Sequence, residues 1–186
     1  MHEWDLGTGL KTRSWPSFEA TGLQSTALSD GRRVLLRRAD DTLTFVDLGT
    51  GAERHVAASA PSTMSAGFSR DGRFLASASR IGWVKVLDLS SAETVAELSG
   101  FVLGVHSAAF SSDGRRLITG SGGAEAIRTW DVDGFGALLT LSAQGTIFSS
   151  AAFFADGNVI GARNAQGRLY LWRAPSLAEI AEAERR

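Results

Sequence analysis

The sequence predicts an all-β fold made of repeated, four-stranded antiparallel sheets. Two markers recur along its 186 residues with one period, and short strand-like runs lie between them. Four Asp-Gly pairs are spaced at steps of 41, 42 and 43 residues: Asp30-Gly31, Asp71-Gly72, Asp113-Gly114 and Asp156-Gly157. A short apolar run ending in Trp-Asp or a substitute occurs five times, at steps of 42, 41, 43 and 42 residues: Trp4-Asp5, Val46-Asp47, Leu87-Asp88, Trp130-Asp131 and Trp172-Arg173. Two markers that share a period of about 42 residues indicate a repeat protein.

Each period contains several short runs with the composition of β-strands. Residues 74–79 and 84–88 are examples in one period, and residues 116–121 and 127–130 are their counterparts in the next. Asp-Gly between two such runs predicts a hairpin, because glycine readily adopts the positive φ of a tight turn. Four short strands in about 42 residues are typical of one β-propeller blade. We predict four blades, at approximately 22–57, 62–98, 106–142 and 149–173, and a partial blade at 1–15.

One stretch carries a resemblance to a known family. Residues 98–131 read LSGFVLGVHSAAFSSDGRRLITGSGGAEAIRTWD, and residues 56–88 follow the same pattern. This is similar to the WD-repeat pattern of Gly-His, then Ala-Phe-Ser-Pro-Asp-Gly, then Gly-Ser, then Trp-Asp. The resemblance extends to about residue 173, and it implies a β-propeller that binds other proteins.

The chain departs from that family at the positions that form its buried hydrogen-bonded network. Phe101 follows Gly100 where the family has His. The Asp of the turn before the third strand survives only as Asp40, and Ile81, Gly123 and Gln166 stand near that place elsewhere. We therefore expect the network to be mostly lost and the blades to depend on apolar packing and backbone ladders.

The predicted strands do not complete a closed ring. In the WD-repeat family the outermost strand of one blade precedes the inner three of the next. Residues 1–15 then supply two outer strands, three complete blades begin near Gln24, Ser62 and His106, and a last unit begins near Ser149 and lacks its outer strand. That makes 2 + 12 + 3 = 17 strands. We expect an open or incomplete ring whose edges are covered by upstream blades or by a second copy.

The last residues, 174–186, predict a short helix. Ser176 and Glu179 form a capping box, and the helix would extend from about Leu177 to Ala183. This segment resembles the C-terminal ends of some large bacterial WD-repeat proteins, several of which carry a protein-kinase domain far upstream. The chain is therefore expected to be the C-terminal portion of a larger propeller.

Composition limits the partners and the compartment. The net charge is -1 with 21% charged residues, so we expect no nucleic-acid or membrane-surface partner. The absence of Cys excludes a disulfide framework, a Cys-based zinc site and a Cys nucleophile. The N-terminal residues lack an apolar signal segment, and no apolar stretch approaches the roughly 18 residues of a membrane span. A cytoplasmic protein is the expectation.

Enzyme chemistry finds little support in the sequence. None of His2, His55 and His106 has a second His or a carboxylate at ligand spacing, so we expect no metal, no cofactor and no catalytic residue. Gly120-Ser-Gly-Gly123 lacks the Lys-Ser/Thr of a phosphate loop and predicts a hairpin turn. The aspartates of the Asp-Gly pairs are predicted turn residues on different blades.

The predicted function is a protein–protein interaction scaffold. The family usually binds partners on the face that carries two sets of loops, those between the second and third strands and those between successive blades. The candidate residues at matching positions are Arg38, Arg80, Phe101, Leu103, Glu125 and Phe148. Aromatic and Arg side chains often anchor interfaces, and Phe101 and Phe148 would be exposed in loops. The alternatives are a propeller-type enzyme or ligand-binding module that uses the central channel, and a truncated fragment without independent activity.

Overall fold

The computed structural model describes residues 2–14, 25–27, 32–37, 43–56, 63–154 and 157–174. The chain forms two compact units, residues 1–59 and 60–186. All strand pairs in the described residues are antiparallel, and each sheet lies within one unit. The predicted all-β class is confirmed. None of the helical structure in these ranges is long and apolar enough to cross a membrane.

The first unit contains a two-stranded and a four-stranded sheet. The two-stranded sheet pairs β1 (His2–Trp4) with β2 (Lys11–Ser14). The four-stranded sheet has the order β3-β4-β5-β6, with bounds Ser25–Ala27, Arg33–Arg37, Leu43–Asp47 and Glu53–Val56. Val34, Leu36 and Val46 form its buried cluster.

The second unit contains three sheets, each a meander of consecutive strands. The first consists of β7 (Thr63–Phe68), β8 (Phe74–Ser79), β9 (Trp83–Asp88) and β10 (Glu93–Leu98). The second consists of β11 (Ser107–Phe110), β12 (Arg116–Gly120), β13 (Ile127–Asp131) and β14 (Ala137–Leu141), with a 3-10 turn at Gly123–Glu125. The third consists of β15 (Ser150–Phe153), β16 (Val159–Arg163) and β17 (Leu169–Arg173).

The strands lie where the repeat places them. The first strands of the four larger sheets begin at Ser25, Thr63, Ser107 and Ser150, each one residue after the predicted start. The described ranges contain 17 strands, the number that the repeat predicts. The predicted helix at 177–183, the candidate Arg38, and Asp40 lie outside the described residues.

The three sheets of the second unit pack face to face. Alternate residues of a strand point to opposite faces, so β12 and β13 serve two cores. Leu117 and Trp130 face the first sheet, where they pack with Val84, Val86 and Leu98. On the other face, their strand neighbours pack with the third sheet, through Ile118, Ile127, Phe148 and Ala162.

The first strands of these sheets lie beside one another, β11 against both β7 and β15. At Gly67 on β7 the approach is so close that a Cβ atom would overlap the Ala108 carbonyl. Glycine is required there because two backbones meet without room for a side chain. The loops at the ends of the sheets are thereby brought into two rows.

Candidate interaction surface

Two rims of the second unit follow from the meander, because successive connections lie at opposite ends of antiparallel strands. We call one the loop rim; its connections are residues 80–82, 99–106, 121–126, 142–149 and 164–168. We call the other the turn rim; its connections are residues 69–73, 89–92, 111–115 and 132–136, with the described part of 154–158.

Hydrogen bonds join neighbouring connections of the loop rim, or a connection and the strand end beside it. Val105 N–H donates to the Ser79 carbonyl at 2.9 Å, and Phe148 N–H donates to the Ser121 carbonyl at 2.9 Å. Ala165 N–H donates to the Thr146 carbonyl at 3.1 Å. Gly104 packs so closely on Arg80 that a Cβ atom would overlap its carbonyl oxygen. The loop rim is therefore a continuous backbone surface.

This surface exposes four apolar side chains. Ile81 is 68% exposed, Val102 85%, Leu103 44% and Ile147 42%. Leu103 Cδ1 lies beside Gly122, whose other neighbours are the backbone atoms of Thr146 and Ile147. Apolar exposure along one rim marks a binding surface more strongly than scattered apolar residues do. Of these four residues, the sequence indicated only Leu103.

Ile147 reaches its exposed position through an unfavourable backbone conformation. Its φ is 55°, in the left-handed region that a β-branched residue rarely adopts. Its neighbour Phe148 is fully buried and donates its N–H to the Ser121 carbonyl, and the Thr146 carbonyl on the other side accepts from Ala165 N–H, so both neighbours of the strained residue are held. Strain of this kind costs of the order of 1–3 kcal/mol and is concentrated at functional sites.

Phe148 itself is a correction to the sequence interpretation. It was expected in an exposed loop, but its side chain is 0% exposed. Its ring lies 5.6 Å from that of Tyr170 and 6.5 Å from that of Trp172, centroid to centroid. The third sheet covers it, a contact between segments distant in sequence, so Phe148 is a core residue that cannot contact a partner.

Phe101 and Glu125 belong to a structural clamp rather than to the exposed surface. Arg128 pairs with the Glu125 carboxylate and donates to the Gly100 carbonyl at 3.1 Å. Glu125 also accepts a hydrogen bond from Val102 N–H at 2.9 Å. The Arg128 guanidinium lies 4.9 Å from the centroid of half-buried Phe101. Internal contacts therefore hold both side chains, and their role in binding a partner stays a prediction.

The clamp continues into an aromatic contact on β13. Phe101 packs on Trp130, with the ring centroids 5.8 Å apart. Trp130 Nε1 in turn donates to Thr119 Oγ1 at 3.0 Å. Aromatic, guanidinium and carboxylate groups therefore hold this region together, in addition to apolar packing.

Charged side chains of the loop rim are mainly arginines. Arg80, Arg163 and Arg168 are exposed and pair with no carboxylate among the described residues. The described acidic residue of this rim, Glu125, is paired with Arg128. The sequence indicated Arg80 from its loop position. It gave no sign of Arg163 and Arg168, because their exposure depends on how β16 and β17 end.

His106 and Ser121 are neighbouring polar residues of the loop rim. His106 N–H donates to the Gly120 carbonyl at 2.8 Å, which sets His106 opposite Ser121 at the end of the β11–β12 ladder. His106 Nδ1 and Ser121 Oγ have no hydrogen-bond partner within the described residues. Burial lowers the pKa of His106, and the Arg80 charge lowers it further. The imidazole is therefore favoured in its neutral form.

The turn rim satisfies its own polar groups. Ser69 Oγ donates to the Asp71 carboxylate at 2.6 Å and accepts from Phe74 N–H at 2.8 Å. Arg73 Nε donates to the Asp88 carboxylate at 2.8 Å. The Ser69 hydrogen bond lowers the pKa of Asp71, and the Ser90 and Arg73 hydrogen bonds hold the pKa of Asp88 well below its ordinary value. Asp71 is thus the turn residue that the sequence predicted.

A shallow cleft also lies on the turn rim. Its volume is about 340 Å³, and it is lined by residues that include Arg73, Phe74, Val95 and Phe135. Phe74 and Phe135 meet edge to face at 5.7 Å, and Arg73 lies 4.6 Å from the centroid of the Phe74 ring. The Arg73 guanidinium and both aromatic rings of this cleft are therefore engaged in internal contacts.

In the described ranges no group of three or more His, Cys, Asp or Glu residues is placed to hold a metal ion. Neither the models of known protein families nor the sequences of curated proteins give a match to this chain.

Proposed function

We propose that the protein is a non-enzymatic protein-interaction module that binds a partner through the loop rim. The observation that carries this proposal is the row of exposed apolar side chains, Ile81, Val102, Leu103 and Ile147, on a surface fixed by backbone hydrogen bonds. Burying apolar surface drives association, and a fixed backbone reduces the entropy lost on binding. Of the six candidates from the sequence, Arg80 and Leu103 remain in the proposed surface.

We further propose that the sheets are blades of a WD-type β-propeller and that the chain is the C-terminal portion of a larger ring. Face-to-face packing of three meanders with adjacent first strands supports this. Leu169 and Leu171 on β17 are 67% and 58% exposed. Their face, opposite to Tyr170 and Trp172, is where a further blade would pack. A cytoplasmic location and the absence of a cofactor remain part of the proposal.

A ligand-binding role for the channel is the second candidate. The unpartnered His106 Nδ1 and Ser121 Oγ favour it, since both atoms can bind a polar ligand. It has less support than the interaction surface, because no group of three or more described His, Cys, Asp or Glu residues is placed to hold a metal ion.

Site-specific photocrosslinking tests the proposed surface. A photoreactive amino acid is placed at Val102 or at Ile81 of the protein in its own cells, and at Ser91 on the turn rim as a control; all three side chains are exposed. We expect Val102 and Ile81 to crosslink one and the same protein, and Ser91 not to crosslink it. Equal crosslinking from Ser91, or none from Val102 and Ile81, would contradict the proposal.

A further inference from the structure

We propose that the loop rim binds an acidic, apolar segment of its partner, in which aliphatic side chains are flanked on both sides by Asp or Glu. This inference rests on the proposed function and specifies the chemistry of the partner. It is drawn from the order of apolar and charged residues along the rim.

The connections of the loop rim have a fixed order. Residues 80–82 contact residues 99–106, because a Cβ atom added to Gly82 would lie 3.2 Å from the Phe101 carbonyl oxygen. Residues 99–106 contact Gly122 through Leu103. Residues 121–126 bond to residues 142–149, and those bond to residues 164–168. One end of the rim is therefore 80–82, and the other end is 164–168.

The charges lie at the two ends, and the apolar side chains lie between them. Arg80 stands at one end, next to Ile81. Arg163 and Arg168 stand at the other, and the Arg163 guanidinium lies over the last connection, near Gly167. Val102, Leu103 and Ile147 occupy the middle. Such a surface complements a segment that is apolar in its centre and negative at both ends.

Internal pairing does not neutralise the three arginines. The Glu125 carboxylate is paired with Arg128 and accepts from Val102 N–H, and it forms no ion pair with Arg80. On the turn rim, by contrast, Asp71, Asp88 and Asp113 lie among the arginines and bind their own turns. The aspartates among its arginines make the turn rim less complementary to an acidic partner than the loop rim is.

A nucleic acid fits this surface less well than an acidic peptide. Single-stranded nucleic acids need aromatic side chains on which bases stack and a basic groove that follows the phosphates. The exposed side chains at the middle of the loop rim are aliphatic, and Phe101 is half-buried under Arg128. Aliphatic side chains between arginines therefore favour an acidic peptide over a nucleic acid as the partner.

Selection from a phage-displayed library of random peptides on the immobilised protein tests the inference. We expect enriched peptides to have an aliphatic centre and acidic residues on both sides. The enriched peptide and its Glu-to-Gln analogue are then measured by fluorescence anisotropy. We expect the analogue to bind about two- to fivefold more weakly for each acidic residue replaced, as befits exposed ion pairs.

Charge-reversed variants provide the matched control. Arg80→Glu and Arg168→Glu should each weaken binding about two- to fivefold, and a peptide with Lys in place of its acidic residues should restore binding. Arg115→Glu, an exposed arginine on the turn rim, should leave binding unchanged.

The outcomes separate this inference from the proposed function. Enriched peptides with neutral or basic flanks that lose binding on Val102→Ser would overturn the acidic chemistry and leave the interaction surface intact. Enriched peptides whose binding is unaffected by Val102→Ser and Ile81→Ser would overturn both. Tighter binding of a single-stranded oligonucleotide than of any selected peptide would also overturn the inference.

Discussion

The two rims of the second unit are built from the same strands but differ in what they leave unsatisfied. On the turn rim, Ser69, Asp71, Arg73 and Asp88 bind one another or their own backbone, so polar groups stabilise the turn. On the loop rim, backbone bonds join separate connections, while apolar side chains and arginines point outwards. The comparison separates two tasks. The turn rim closes hairpins, and the loop rim holds neighbouring sheets together and presents a surface.

The largest expected difference concerns backbone crowding. Gly104→Ala places a Cβ atom against the Arg80 carbonyl. The two segments cannot move apart without losing the Val105–Ser79 backbone hydrogen bond. We expect a loss of about 1–3 kcal/mol in the free energy of unfolding, measured by urea denaturation. Gly136→Ala on the turn rim has no neighbour within 4 Å and should change stability by less than about 0.5 kcal/mol. Equal effects of the two substitutions would mean that the rims are equally crowded.

The second difference concerns pH. Hydrogen bonds from Ser90 and Arg73 lower the pKa of Asp88 in the folded state, so the ionised carboxylate contributes stability above the ordinary pKa of Asp. This contribution is lost as pH falls from about 4 towards the lowered pKa. Asp88→Asn should lower the urea midpoint at pH 7, and its deficit should shrink below pH 4. A deficit that is the same at pH 7 and at pH 3 would show that the charge is unimportant. Asp133→Asn is the exposed control on the same rim.

The third prediction concerns the strained residue of the loop rim. Ile147→Asn removes a left-handed β-branched residue that costs about 1–2 kcal/mol, because Asn tolerates this conformation. It also removes an apolar side chain that is 42% exposed, and the buried remainder is worth about 1–2 kcal/mol. The two effects offset, so we expect the unfolding free energy to change by less than about 1 kcal/mol while binding of the selected peptide weakens. A loss above about 2 kcal/mol with unchanged binding would make Ile147 a packing residue.

The smallest expected effect lies on the turn rim. Ala92 has a φ of 61° in the turn after Asp88, where the equivalent turns after Asp5 and Asp47 have Gly9 and Gly51 with positive φ. Ala92→Gly should stabilise the protein by about 0.5 kcal/mol, since relief of about 1–2 kcal/mol of strain exceeds the entropic cost of glycine. Differential scanning calorimetry should show a higher Tm. Ala96→Gly on β10 should lower the Tm, and a lower Tm for both would contradict the assignment of strain to residue 92.

The sequence predicted the sheets better than the surface. Asp-Gly turns and Trp-Asp markers report local backbone requirements, so the strand starts and the meander order could be obtained from spacing alone. The sequence placed Phe148 in an exposed loop, which is wrong, and did not indicate Ile81 at all. The exposure of a loop side chain is not a local property. Whether a loop side chain is buried depends on which distant segment covers it, and Tyr170 covers Phe148, while Ile81 is left 68% exposed.

What the sequence by itself determined is the repeat: its period, the strands and the polar residues that close each turn, because these depend on residues close together in the chain. The tertiary structure alone decided the character of the loop rim. The position of the Arg128–Glu125 clamp against Gly100 and Phe101, the burial of Phe148 and the exposure of Ile147 each depend on contacts between segments 20 or more residues apart. Such contacts follow from how the sheets stack, and local sequence preferences do not encode that stacking.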